Sequence, residues 1–195
     1  MKRLFLAVAF SLVSSAAIAQ CDPNGIGDAA PGSVSAHMNP FKNRTTEITT
    51  ANEITVAKIL GFAESEDEGQ EAQAVELKGH LLNYRHEGAE SPNCHSDTRK
   101  DYHIWVGTVG ADASDSDARA ESVVVELTPN IQDQHSDWAG KLHSLMDRDV
   151  CVKGWLFFDH DHADQVGKTR GTQWEIHPIM KIGPLGADGA CQYWN

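Results

Sequence analysis

Between residues 74 and 182 the chain alternates short runs of β-branched, leucine and aromatic residues with polar loops. Runs of this length and composition are typical of β-strands. A helical pattern occurs once, where Trp138, Leu142, Leu145 and Met146 follow a candidate N-cap at Asp137. The five predicted strands cover 74–84, 102–108, 122–127, 150–158 and 173–182.

The order of these elements is three strands, one helix and two strands. A five-stranded Greek-key barrel of the OB-fold type has this order, with its helix between the third and fourth strands. Gly79 and Gly154 lie inside the first and fourth strands, where the tight coiling of a small barrel requires a bend. We therefore expect an all-β OB-fold barrel with one helix. Another small antiparallel barrel or a sandwich is the alternative.

The first 19 residues have the pattern of a secretory signal peptide. Lys2 and Arg3 precede an apolar run over 4–13, and Ala17-Ile18-Ala19 is typical of a cleavage site. The run is shorter than the roughly 20 apolar residues of a membrane span, so no span is expected after cleavage. We predict a periplasmic or secreted protein with a signal peptide (1–19), an irregular N-terminal arm (20–46), an OB-fold domain (47–183) and a C-terminal tail (184–195).

Composition limits the partners of the mature chain. The formal net charge is −12, and it becomes −14 when Lys2 and Arg3 leave with the signal peptide. Nonspecific nucleic-acid binding depends on lysine and arginine contacts to phosphate. General nucleic-acid binding is therefore not expected.

Four cysteines remain in the mature chain, at positions 21, 94, 151 and 191. An even number in an exported protein predicts two disulfides, and three pairings are possible. Cys21 and Cys191 lie near the two ends and are expected to tie the termini to the body. The spacing argues against a redox CxxC motif and against a cysteine zinc site.

The densest group of metal-ligand residue types follows the fourth predicted strand. His160 and His162 lie in a DHDH loop, and Glu175 and His177 share one face of the fifth strand, opposite Trp174. Histidine and carboxylate ligands suit zinc or copper. The metal candidates are therefore His160, His162 and His177. The alternative is a solvated loop beside a hydrogen-bonded Glu175–His177 pair.

A second group lies on and near the second and third strands, the usual ligand face of an OB barrel. A histidine beside a tryptophan there is suited to stacking on a sugar or a base. Alternatively, Trp105 is a core residue, His103 is a satisfied buried histidine, and Arg170 forms a structural salt bridge with Glu175 or Glu126. The ligand-binding candidates are His103, Trp105, Glu126, Arg170, Thr172 and Glu175.

Other catalytic patterns are not supported. Cys94 precedes His95, but the even cysteine count favours a disulfide over a free nucleophile. Ser96 has no GxSxG motif around it. The paired basic and acidic pattern of staphylococcal-type nucleases, which share the OB barrel, is also missing, so the fold by itself does not indicate a nuclease.

Several motifs carry a resemblance to known proteins. The strands VELKGHL, VVVEL and VCVKGWLFFD, with a tryptophan-bearing helix after the second, resemble bacterial periplasmic OB-fold proteins over roughly 74–182. The patterns KDYHIWV, VVVELTP, VKGWLFFDHDH and TRGTQWEIHPI are similar to those of exported bacterial proteins of unassigned activity. The resemblance implies the OB-fold and an export route.

Three functions remain compatible with these observations. The first is an envelope binding module that captures a small ligand or a partner protein. The second is a structural or stress-related envelope protein without a ligand. The third is a metal-dependent hydrolase, phosphodiesterase-like, that uses His103, Glu126, His160, Glu175 and His177. We expect binding rather than catalysis.

Overall fold

The computed structural model describes residues 21–71 and 73–195. The predicted signal peptide, 1–19, lies outside the described residues. Six strands and five short α-helices follow one another along the described chain. The strands are β1 (Asn52–Thr55), β2 (Ala74–His86), β3 (Tyr102–Gly107), β4 (Val123–Leu127), β5 (Arg148–Phe158) and β6 (Trp174–Pro184). The helices are α1 (Val34–Lys42), α2 (Val56–Leu60), α3 (Glu68–Glu71), α4 (Pro129–Gln134) and α5 (Trp138–Lys141).

Five of the strands close into a barrel. The order across the sheet is β1-β2-β3-β4-β6-β5, and β2 also pairs with β5, which closes the circle without β1. The contact between β4 and β6 is parallel, and the other barrel pairs are antiparallel. β1 runs parallel to β2 outside the ring. The prediction of a mostly-β chain with a five-stranded barrel is confirmed.

The barrel interior is apolar because side chains alternate between the two faces of each strand. Leu77, Ile104, Val125, Leu156 and Ile176, one from each barrel strand, are all buried in a single core. At about 25 cal/mol per Å² of apolar surface, burial of this kind is the main stabilising term of the fold.

Gly79 and Gly154 mark close approaches of the backbone. A Cβ atom at Gly79 would collide with the carbonyl oxygen of Gly107, and one at Gly154 with that of Pro178. The pairing of β5 with β6 also shifts register next to Gly154. Glycine at these positions therefore lets neighbouring strands coil closely around the barrel.

The helix predicted at 137–146 forms in part, because α5 begins after its N-cap Asp137 and runs directly into a 3₁₀ segment. The connection between β4 and β5 contains α4, then α5, and then this 3₁₀ segment over Leu142–Leu145. The helical spacing is real, since Trp138, Leu142 and Leu145 are all buried against the core. Gly140 weakens α-helix propensity in the middle, and packing to the barrel tightens the last turn.

The N-terminal arm, predicted to be irregular, contains α1. The Ser33 hydroxyl caps this helix by accepting the Ala36 N–H at 3.1 Å. The Asn39 side chain donates to the carbonyl of Ile26 at 2.7 Å, and that of Asn43 donates to the carbonyl of Pro92 at 3.1 Å. These contacts fold the arm against the loop that follows β2.

Both predicted disulfides form, and the structure decides their pairing. Cys21 pairs with Cys94, which fastens the arm to the loop between β2 and β3. Cys151 pairs with Cys191, which fastens the C-terminal tail to β5. Both termini of the described chain are thus tied to the barrel, as expected. In the part of the chain that the structure describes, no helix is long and apolar enough to cross a membrane.

Candidate functional site

A layer of charged side chains lies on the outer face of β3, β4 and β6. Alternation sends Ile104, Val125 and Ile176 inward, so their neighbours point out of the barrel. The neighbours are nevertheless buried, because Glu87 from the loop after β2 contacts His103, Arg170 from the loop after β5 contacts Glu175, and α1 of the arm contacts β6. We name this layer the buried polar cluster, and its members are Asp101, His103, Glu126, Asp159, Arg170, Glu175 and His177.

Arg170 joins two carboxylates of the cluster. Its guanidinium is fully buried and donates from Nη1 to Asp159 Oδ2 at 2.5 Å and from Nη2 to Glu175 Oε2 at 3.0 Å. The structural salt bridge expected between Arg170 and Glu175 is therefore present. Burial would raise the pKa of Asp159, but the hydrogen bond from His162 and the Arg170 charge hold that pKa well below its usual range.

His177 lies where carboxylates from three strands or loops meet. Its Nδ1 is 3.0 Å from Glu175 Oε1 and 3.3 Å from Glu126 Oε2. Its Nε2 is 3.7 Å from Asp101 Oδ2 and has no hydrogen-bond partner in the described chain. Burial would lower the pKa of His177, but the negative charges of Glu126 and Glu175 outweigh it and raise the pKa.

Asp101 is a buried carboxylate with one free oxygen. Asn93 Nδ2 donates to Asp101 Oδ1 at 2.9 Å, while Oδ2 has no hydrogen-bond partner among the described residues. Burial, and next the charge of Glu126, raise the pKa of Asp101 well above its ordinary value. A carboxyl group in this position is costly unless a proton or a cation compensates it.

Glu126 is held by two imidazoles. His103 Nδ1 lies 3.3 Å from Glu126 Oε1 and 2.9 Å from Glu87 Oε1. Burial would lower the pKa of His103, but Glu126 and Glu87 together raise it to about 9. Burial would raise the pKa of Glu126, but the charge of His177 and the hydrogen bond from His103 hold it well below its usual range.

The three histidines predicted as metal ligands do not converge. His160 is exposed on its loop, with Nε2 3.2 Å from Glu66 Oε2. His162 is half-buried, with Nδ1 2.6 Å from Asp159 Oδ2. Only His177 has ligand-type neighbours within reach on several sides. Of the side chains that the structure describes, one group meets the spacing of a metal site, and it consists of Asp101, Glu126 and His177.

The remaining ligand candidates have internal partners. Trp105 is buried, and its indole N–H donates to the carbonyl of Thr169 at 2.5 Å. The guanidinium of Arg85 covers the Trp105 ring at 5.3 Å. Thr172 donates its hydroxyl to Glu64 Oε1 at 2.8 Å. His103, Glu126, Arg170 and Glu175 do come together, although on a covered face rather than an open one.

Sequence reasoning missed Asp101, and a signal for it was present. Asp101 directly precedes β3 and lies two residues before His103, so strand alternation puts both on the same face. Lys42 and Glu90 were missed as well. They belong to the arm and to the loop after β2, and no local pattern connects either of them with β4 or β6.

A cleft of about 420 Å³ lies beside the cluster, between α1 and the loop after β2. The Lys42 ammonium, on one wall, is almost fully buried and lies 3.8 Å from Glu90 Oε2. Burial would lower the pKa of Lys42, but the charges of Glu90 and Asp159 hold it above its usual value. Other residues lining the cleft are Ser35, Asn39, His95 and His162.

Comparison with known proteins adds no functional assignment. No protein-family model matches this chain, and no curated protein matches it.

Proposed function

We propose that the protein is an exported OB-fold binding module of the cell envelope, and that it takes up a small polar ligand in the cleft between α1 and the loop after β2. The predicted signal peptide and the two disulfides support export, because disulfides persist in oxidising compartments.

Strand connectivity supports the OB-fold assignment. The barrel order β2-β3-β4-β6-β5, with β2 returning to β5, agrees with the OB-fold when β2 is counted as its first strand. The helical connection between β4 and β5 lies at the position where an OB-fold has its helix. On this numbering, β3 and β4 form the usual ligand face, which carries His103, Trp105 and Glu126.

The observation that carries the proposal is the pair of opposite charges in the cleft wall. Lys42 Nζ and Glu90 Oε2 are 3.8 Å apart, which is longer than a hydrogen bond. Each group therefore retains capacity for a closer partner of opposite charge. A small zwitterion with one carboxylate and one ammonium group matches this wall. Because His103, Trp105 and Glu126 of this face are buried, a large ligand does not fit there without displacing the side chains that cover them.

The test is a nuclear magnetic resonance titration of the isotope-labelled, oxidised protein. The probes are glycine and L-glutamate, with acetate and ethylammonium as probes of one charge. We expect the zwitterions to shift the amide signals of Ser35, Asn39 and His95, with a Kd below about 1 mM. The single-charge probes should bind more weakly.

The variant Lys42→Met should lose these shifts. Lys58→Met is the matched control, because Lys58 lies in a separate groove beside Ile54 and Val109. If no probe shifts the cleft signals of the wild-type protein, or if both variants respond alike, the cleft is not the binding site.

A structural role without a ligand is the second candidate. It is favoured by the mutual pairing of the cluster, in which Arg170 holds Asp159 and Glu175, and Glu175 holds His177. A titration without any shift, together with large stability losses in cluster variants, would support this role. The hydrolase hypothesis keeps four of its five residues in one cluster, whereas His160 lies apart with Glu66.

A further inference from the structure

We propose that Asp101, Glu126 and His177 form a binding site for one divalent transition-metal ion on the outer face of the barrel. This site differs from the histidine loop that the sequence suggested. It goes beyond the ligand proposed for the cleft, and neither proposal requires the other.

The spacing of the three side chains fits a metal ion. One ligand atom from each lies within 4.8 Å of the others, and all three residues are buried. Zinc binds nitrogen and oxygen at about 2.0 to 2.2 Å, so ligand atoms on one ion are at most about 4.4 Å apart. If the three ligand atoms move closer together by a few tenths of an ångström, they can therefore all bind one ion.

Two of the ligands each have one atom held by a neighbour and another atom free. Asn93 holds Asp101 at Oδ1, which leaves Oδ2 without a partner in the described chain. Glu175 holds His177 at Nδ1, which leaves Nε2 equally free. The two free atoms face each other at 3.7 Å. This separation is too long for a strong hydrogen bond and suits two ligands of one ion.

The neighbours of these ligands resemble the support that metal ligands usually have. A metal-binding histidine commonly donates its other ring N–H to a carboxylate, which fixes the ring and exposes the second nitrogen. Glu175 provides that carboxylate for His177 and is itself held by Arg170. His103 orients Glu126 in a similar way, at 3.3 Å.

Burial explains why a bound cation is expected to stabilise these side chains. Asp101 and His177 have almost no contact with solvent, so water does not satisfy their free atoms. An unpaired buried polar group destabilises the folded state, and an ion that binds both atoms removes this cost for each. One imidazole with two carboxylates suits zinc or manganese, whereas calcium prefers a set of oxygen ligands.

The experiment is a zinc titration of the oxidised protein after removal of metal with EDTA. Calorimetry and native mass spectrometry measure the affinity and the number of ions. We expect one zinc ion per chain and no comparable binding of calcium. Asp101→Asn is nearly isosteric and should weaken zinc binding by at least about 100-fold. Asn93→Ala keeps all three ligands and should weaken it by about 10- to 100-fold.

The control variant carries His160→Asn and His162→Asn together. These two side chains have other acidic partners, Glu66 and Asp159, and the variant should bind zinc as the wild type does. Zinc binding that is lost in this variant and kept in Asp101→Asn would overturn the proposal. Failure of the wild-type protein to bind zinc would overturn it as well.

A second measurement needs no substitution. Cobalt(II) added to the metal-free wild-type protein should produce visible absorption bands typical of nitrogen and oxygen ligands, and one equivalent of zinc should remove them. Absence of these bands contradicts the site even if Asp101→Asn fails to fold. Lys42→Met should still bind zinc, which separates this result from the outcome of the cleft titration.

Discussion

Replacing Arg170 by methionine is expected to destabilise the protein strongly. The guanidinium is fully buried and is hydrogen-bonded to Asp159 and Glu175, which are also buried. Methionine occupies much of the same volume but removes the guanidinium, so that Asp159 keeps only His162 and Glu175 keeps only His177 as a side-chain partner. Breaking a buried pair by removing one partner costs about 3 to 5 kcal/mol. With a urea m-value of about 2 kcal/mol per M, the midpoint of unfolding should fall by about 2 M.

The assay is urea unfolding followed by tryptophan fluorescence, with Arg99→Met as the matched control. Arg99 forms an ion pair with Asp133 at 2.7 Å, but the two side chains are 38% and 61% exposed. Exposed pairs contribute about 0 to 1 kcal/mol, so the control should shift the midpoint much less.

Two outcomes would contradict this reasoning. In the first, Arg170→Met is no more destabilising than Arg99→Met, so burial does not set the magnitude. In the second, adding Glu175→Gln to Arg170→Met makes the protein still less stable. Removing one of the two carboxylate charges that Arg170 no longer balances should instead recover part of the loss.

Two further predictions concern the disulfide of the tail and the pH dependence of stability. The double variant Cys151→Ala and Cys191→Ala opens a loop with a sequence separation of 40 residues. Its free energy of unfolding should fall by about 4 kcal/mol according to the chain-entropy account. A urea unfolding curve that matches the wild type would contradict this prediction. The folded pKa of His103, about 9, lies above its unfolded value of about 6.5. The stabilisation from protonated His103 is therefore complete below about pH 6.5 and is lost as the pH rises through about 9. The stability difference between the wild type and His103→Gln, measured across that range, should decline with pH, and a constant difference would contradict the assignment.

The five barrel strands were predictable because their signal is local, whereas β1 was not predicted. In β6 the alternation of Trp174 and Ile176 with Glu175 and His177 assigns the faces correctly, since successive side chains of a strand point to opposite sides. The ends of the five barrel strands differ by at most two residues from prediction, as β2 continues to His86 and β6 to Pro184. Hydrogen bonds to a neighbouring strand, rather than composition, determine where a strand ends.

The helical elements were less predictable because they are short. Isolated helices of one or two turns are marginal, so tertiary contacts decide whether they form. α1 forms in a glycine- and proline-rich arm because Ser33 caps it and because Asn39 and Asn43 attach it to distant backbone. The connection after β4 likewise consists of three pieces, none longer than six residues.

The candidate site was predictable only in part. His103, Glu126, Glu175 and His177 could be placed on outward faces from strand alternation. Asp101, just before β3, joins this group only because β4 lies between β3 and β6 in the barrel. This strand order brings Asp101 within reach of His177 on β6. The same strand order brings His177 beside Glu126, 51 positions earlier in the numbering, at 3.3 Å.

By itself the sequence determined the five barrel-strand segments, the inner and outer faces of those strands, the glycines of the coiled strands and the presence of paired cysteines. Each of these follows from residues that are neighbours along the chain. Only the tertiary structure decided which cysteines pair, that the charged side chains of the outer face are buried, and that Asp101 and His177 meet with free atoms. These features arise when segments far apart in sequence pack together. Whether a side chain is buried and desolvated depends on which distant segments pack against it, and a local sequence pattern does not contain that information.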